Sequence, residues 1–149
     1  MNLSSVGQEE IWYTLDGSDP LPEDPRSKQY NGSPIIIEKI VNAAVVVKAR
    51  ACKDGDLGKI QTQSFIFLDR DITMPVVSLS TASENLFSKE TGIFANIEED
   101  WEKPVGIEFY EPNGLKGFSV NAGMRLHGGR GRENFQKALK FYLRGSVYG

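Results

Sequence analysis

The stretch that decides the fold is IWYTLDGSDP, Ile11 to Pro20, an aromatic and β-branched run that breaks abruptly into Asp, Gly, Ser and Pro. Ile11 to Thr14 have the composition of a strand. In the cluster behind them, the Asp-Gly pair supplies a left-handed turn residue. Asp and Ser side chains can bond nearby backbone N–H groups, and Pro20 stops strand pairing. The cluster therefore reads as the corner of a β scaffold. Neither it nor the acidic runs at 23–25, 54–56 and 98–100 has the D-x-[DN]-x-[DN]-G spacing of a calcium loop, so solvated loops are expected there.

Outward from that corner the pattern continues. SPIIIEK, AAVVVKARACKDG and KIQTQSFIFLD are further β-like runs separated by turn clusters such as YNGSP and KDGDLG, the signature of a β-sandwich. FLDRDITMP (67–75) marks a junction, after which PVVSLS opens a new apolar run. TASENLF predicts a short helix, with a Ser or Thr ahead of SENLF as cap and Glu84 in the first turn. EPNG predicts the turn of a hairpin between VGIEFY and GFSVNAGMRLHG. QKALKFYL fits both periods; alternation at 137, 139, 141 and 143 favours a strand, on which Lys137 shares a face with Leu139, Phe141 and Leu143. The expected class is mainly β with some α: a β-sandwich over residues 1–71, then an antiparallel-sheet α+β segment over 72–149.

Composition narrows the chemistry. The chain has 149 residues, 40% of them hydrophobic, enough for one ordinary domain or two small ones. No run approaches the ~18 apolar residues of a membrane span. A single cysteine, Cys52, excludes an internal disulfide, and a single histidine, His127, excludes a multi-histidine metal cage. The formal charge of −3 divides unevenly: residues 1–123 carry −8 and residues 124–149 carry +5. A basic block interleaved with glycines and aromatics invites an anionic partner.

The first half, in the order IWYTLDGSDP, YNGSPIII and VVVKARACKDGDLG, resembles the chitobiase/β-hexosaminidase C-terminal domain family, whose members are small immunoglobulin-like accessory modules of extracytoplasmic bacterial proteins. That resemblance implies that one or two strands preceding MNLSS are missing and that an edge is left unpaired. From Met74 onward, MPVVSLSTASENLF, GIFANIEEDWEKPVGIEFYEPNG, NAGMRLHGGRGR and QKALKFYLRGSVYG resemble the spore coat protein H (CotH) kinase-like family. This implies the N-lobe of an atypical kinase that phosphorylates protein serine with ATP and magnesium, at a bacterial cell surface or spore coat. The family's catalytic and magnesium-binding aspartates lie beyond Gly149, so no catalytic or metal residue is expected in the chain and no tight cofactor binding to it alone.

The resemblance directs attention to RLHGGRGRENFQK, Arg125 to Lys137. Glycines allow backbone N–H groups to approach oxygens, and Arg and Lys add charge-assisted bonds, so such a loop can hold nucleotide phosphates. It lacks both the Walker A and the ordinary kinase glycine spacing. The expected nucleotide-binding set is Arg125, Gly128, Gly129, Arg130, Gly131, Arg132 and Lys137, with His127 beside it and Glu108 as a salt-bridge partner for a buried basic group. Expected partners are a protein substrate or other coat and surface proteins, with no nucleic acid. The rival readings are a glycan-binding or adhesive module using Trp12, Tyr13 or Tyr30, and a coat-assembly element without kinase chemistry.

Overall fold

A computed structural model describes residues 1–5 and 9–148. Its first antiparallel sheet contains β1 (Glu10–Thr14), β2 (Lys28–Gln29), β3 (Ala43–Lys53), β4 (Asp56–Leu57) and β5 (Gln61–Phe67). The long β3 is central: β1 pairs along one edge, and β4 and β5 share the other. The second sheet runs β6 (Val76–Ser80), β7 (Lys103–Tyr110), β8 (Lys116–Leu126), β9 (Leu139–Tyr142), each strand antiparallel to the next. Two short helices, α1 (Ser83–Phe87) and α2 (Gly145–Tyr148), complete the elements with a 3-10 turn at Arg130–Glu133. The molecule is mainly β, and residues 68–75 join the two sheets without regular structure. No described helix is long and apolar enough to cross a membrane.

The opening corner closes on itself. Gly17 has φ +80°, the left-handed conformation that glycine adopts without steric cost. The Ser18 N–H (3.0 Å) and hydroxyl (2.5 Å) both donate to Asp16 Oδ1, and Thr14 Oγ1 donates to the Ser18 carbonyl at 2.6 Å. These bonds hold the Asp16 carboxyl below its usual range although partial burial opposes the shift. Thr14, Ser18 and Pro20 are buried, so the polar groups of the turn pair inside the protein.

Three local expectations are corrected. SPIIIEK is not a strand: Pro34 lacks an N–H, and Ile36 is 83% exposed. Only Ile35 of this run is buried, exchanging two 2.8 Å backbone bonds with Met1. The residue at the N-cap of α1 is Ala82, without a side-chain cap. Thr81 instead donates to the Pro104 carbonyl at 2.6 Å and accepts from Asn85, tying the helix to β7. Finally, β9 begins at Leu139, two residues after Lys137.

The apolar core belongs to the second sheet. Val105, Ile107, Ala122, Met124 and Leu126 alternate along β7 and β8 onto one face, where Ile93 closes over them with Leu86, Phe94, Ile97 and Trp101 alongside. Ile93 is not in a strand. It is set by tight backbone turns, with its N–H donating to Asn85 and that of Phe94 to Leu86. An added Cβ at Gly92 would lie 2.5 Å from Ser88 N and 2.7 Å from the Leu86 carbonyl, so this turn requires glycine. On the opposite face of β7, Gly106 and Glu108 meet Thr62 and Ser64 of β5. The sheets thus join through polar groups rather than aliphatic ones.

Candidate functional site

At the junction of the sheets, Glu108 is 1% exposed. Its carboxylate accepts from the Ser64 hydroxyl at 2.5 Å and the Tyr110 hydroxyl at 3.0 Å, and pairs with Lys116 Nζ at 2.7 Å. The basic partner of Glu108 is Lys116, which stands opposite Tyr110 on β8 and is 30% exposed rather than buried. Burial, and then the negative charge and hydrogen bond of Glu108, push the Tyr110 phenol up to about 12. Tyrosines of the unfolded chain titrate near ~10. The folded state therefore holds this proton more tightly: the stabilisation is complete below pH ~10 and is lost as pH rises through about 12. Unfolding free energies measured between these limits should fall with pH more steeply in the parent protein than in Tyr110→Phe. Identical slopes would show that Tyr110 is not the titrating group.

The second polar centre is Glu102, a residue that the sequence reading did not single out. Its carboxylate receives Arg125 Nε at 3.0 Å, Arg144 Nη1 at 3.1 Å and the Tyr148 hydroxyl at 2.5 Å. The Tyr148 bond, followed by the two guanidiniums and opposed by burial, keeps Glu102 below the usual carboxylate range. Glycine at 123 leaves the room: a Cβ there would lie 2.2 Å from Glu102 Oε1. The cations of Arg125 and Lys140, each 5.1 Å away, and of Arg144, at 4.7 Å, surround the Tyr142 ring. One signal was available. Extending the β7–β8 register beyond Lys103 and Met124 sets Glu102 opposite Arg125.

The glycine-rich loop lies apart from this centre. Gly128 has φ +96°, and open space surrounds the Cβ positions of Gly128, Gly129 and Gly131. Arg132 donates to the Gly128 carbonyl at 2.7 Å, to Ile97 O at 3.1 Å and to Asp100. Its guanidinium holds Asp100 below the usual range. Lys137 donates to the carbonyls of Arg132 and Asn134, so its partners are backbone oxygens of the loop. His127 is exposed, and its N–H donates to Ala138 O. The structure thus gathers Gly128, Gly129, Arg130, Gly131, Arg132 and Lys137, whereas Arg125 belongs to the Glu102 cluster. The depression at the loop is also lined by Glu98, Asp100 and Glu133. These three carboxylates face Arg130 and Arg132, of which Arg132 is already paired with Asp100, and no set of three or more His, Cys, Asp or Glu side chains among the described residues is placed to hold a metal ion.

Among the aromatics proposed for glycan stacking, half-buried Trp12 bonds Glu10 at 3.3 Å. Tyr13 and Tyr30 pack edge to face, 6.5 Å between centroids. The first sheet, with its corner between β1 and β2, is the part of the chain that a family model matches. Residues 1–65 match the family model described as Fn3 associated. The match spans β1 through most of β5 and supports an immunoglobulin- or fibronectin III-like associated module at the level of broad class. No curated protein and no solved structure matches the chain.

Proposed function

We propose that the chain belongs to a bacterial surface or spore-coat protein of the CotH kinase-like type, in which a chitobiase-type accessory module over residues 1–71 sits on the nucleotide-binding lobe begun by residues 72–149. The observation that carries the reading is the Gly128–Gly131 turn: open backbone between β8 and β9, with an exposed guanidinium at Arg130. In this reading the backbone and Arg130 contact the nucleotide phosphates. Arg132 and Lys137 brace the loop from within, and protein serine is the phosphate acceptor. The ligands for magnesium and the phosphoryl-transfer aspartates would come from residues outside this chain.

Calorimetric titration of the full-length protein with ATP and magnesium should give saturable binding. Arg130→Ala should weaken it about tenfold, the loss of one charge-assisted phosphate contact. Lys137→Ala should weaken it through the displaced loop. Unchanged affinity in both variants would remove the loop from the site, and no binding by the parent protein would remove the kinase reading.

A further inference from the structure

Between the sheets lies a cleft of about 370 Å³ lined by Lys48, Arg50 and Lys59 from the first sheet and its loops, Gly106 and Asn121 from the second, and Tyr148 of α2. This volume falls in the range of small-molecule sites, roughly 300–1,000 Å³. Its charges do not balance. Lys48, with a side chain 5% exposed, is matched by Asp19 at 2.8 Å. Arg50 makes no ion pair among the described residues and feels the more distant charge of Asp19; its Nε–H is enclosed by protein and makes no hydrogen bond there. Exposed Lys59 adds a further positive charge at the same cleft. Among the described residues Asp19 is its one acidic lining residue, shared between Lys48 and Arg50, so the cleft keeps a net positive charge.

A half-buried guanidinium with an unsatisfied donor is costly unless an acceptor is supplied. The planar fork of arginine fits a carboxylate or phosphate oxygen pair. Room for a polar body is present as well. Asn121 uses its Nδ2 on the Ile60 carbonyl at 3.1 Å, leaving its oxygen as an acceptor for a ligand hydroxyl. Gly106 contributes no side chain to the wall, and the Thr62 and Ser80 hydroxyls beneath it are buried without hydrogen-bond partners among the described residues. Both sheets supply walls, so the cleft is a property of the joined pair.

We infer that this inter-sheet cleft binds a small oxyanion, the phosphate or carboxylate group of a hydroxyl-bearing molecule, on Arg50 with Lys59 at the mouth. This site is independent of the loop proposed for nucleotide. It is tested by following the arginine Nε–H resonances of the full chain in nitrogen-15 correlation spectra while titrating inorganic phosphate and, separately, glucuronate, with sodium chloride at matched ionic strength as control. Arg50 should show a saturable shift with at least one of the two anions and none with chloride. Stronger binding of phosphate assigns the site to phosphoryl groups, and stronger binding of glucuronate assigns it to carboxylates. Lys59→Gln, a substitution at an exposed residue, should weaken the binding several-fold, whereas Arg130→Ala should leave it unchanged. A shift reproduced by chloride, the absence of any saturable shift, or an affinity indifferent to Lys59→Gln would overturn the assignment.

Discussion

Glu108→Ala should destabilise the protein by about 3 kcal/mol in urea unfolding, near the lower end of the cost of breaking a buried ion pair. The parent carboxylate is 1% exposed and satisfies Ser64, Tyr110 and Lys116 together. Its removal leaves the Ser64 hydroxyl to Ser78 and the Tyr110 hydroxyl to the Ser64 carbonyl, and takes from Lys116 its carboxylate partner at the seam between the sheets. Lys116 tempers the loss, since its side chain is 30% exposed and can recover water. Lys116→Met should therefore cost less than Glu108→Ala. A change below 1 kcal/mol in Glu108→Ala would mean that the seam carries little of the stability. Because Ser64 belongs to β5 and Glu108 to β7, the variant should also loosen the 68–75 connection, readable as faster proteolytic nicking there.

Ile93→Ala should cost about 2–5 kcal/mol, the range for truncating a fully buried aliphatic side chain. Ile93 is 1% exposed and closes the apolar face formed by Val105, Ile107, Ala122 and Met124. Leu79 provides the comparison. It pairs with Ile107 on β6 but is 42% exposed, so Leu79→Ala should cost much less. Equal effects in the two variants would show that the 85–101 segment does not seal the core.

Much of the β architecture is legible locally. The Val-rich run at 43–53 becomes β3, EPNG becomes the β7–β8 turn with Gly114 at φ +80°, and alternation in KALKFY yields β9. In the first two stretches propensity and turn chemistry agree with the structure; in β9 the alternation gives the strand but not the burial, since Phe141, and Leu143 just after the strand, are exposed. Sequence and structure disagree at SPIII, where composition favours a strand but Pro34 and the lack of a continuous neighbouring strand leave Ile36 in solvent. At α1 the anticipated cap lost to a tertiary contact, because the Thr81 hydroxyl bonds β7.

The candidate site divides along the same line. Charge density and glycine content mark residues 124–149 as unusual, but local sequence cannot say which cations are already matched. Asp100 meets Arg132 and Glu102 meets Arg125 across more than twenty residues of chain. Lys137, predicted to face an apolar layer, is held instead by carbonyls within its own loop.

What the sequence by itself determined is the β class, the self-contained corner at Asp16–Pro20, the hairpin turn and the uneven charge, since each follows from residues within a few positions of one another. Tertiary structure alone decided that the sheets join through Glu108, that Glu102 gathers Arg125, Arg144 and Tyr148, and that Arg50 Nε has no hydrogen-bond partner among the described residues. Those outcomes depend on which strands pair and which faces meet, and the electrostatic strength of each group follows from the burial and neighbours that this packing imposes.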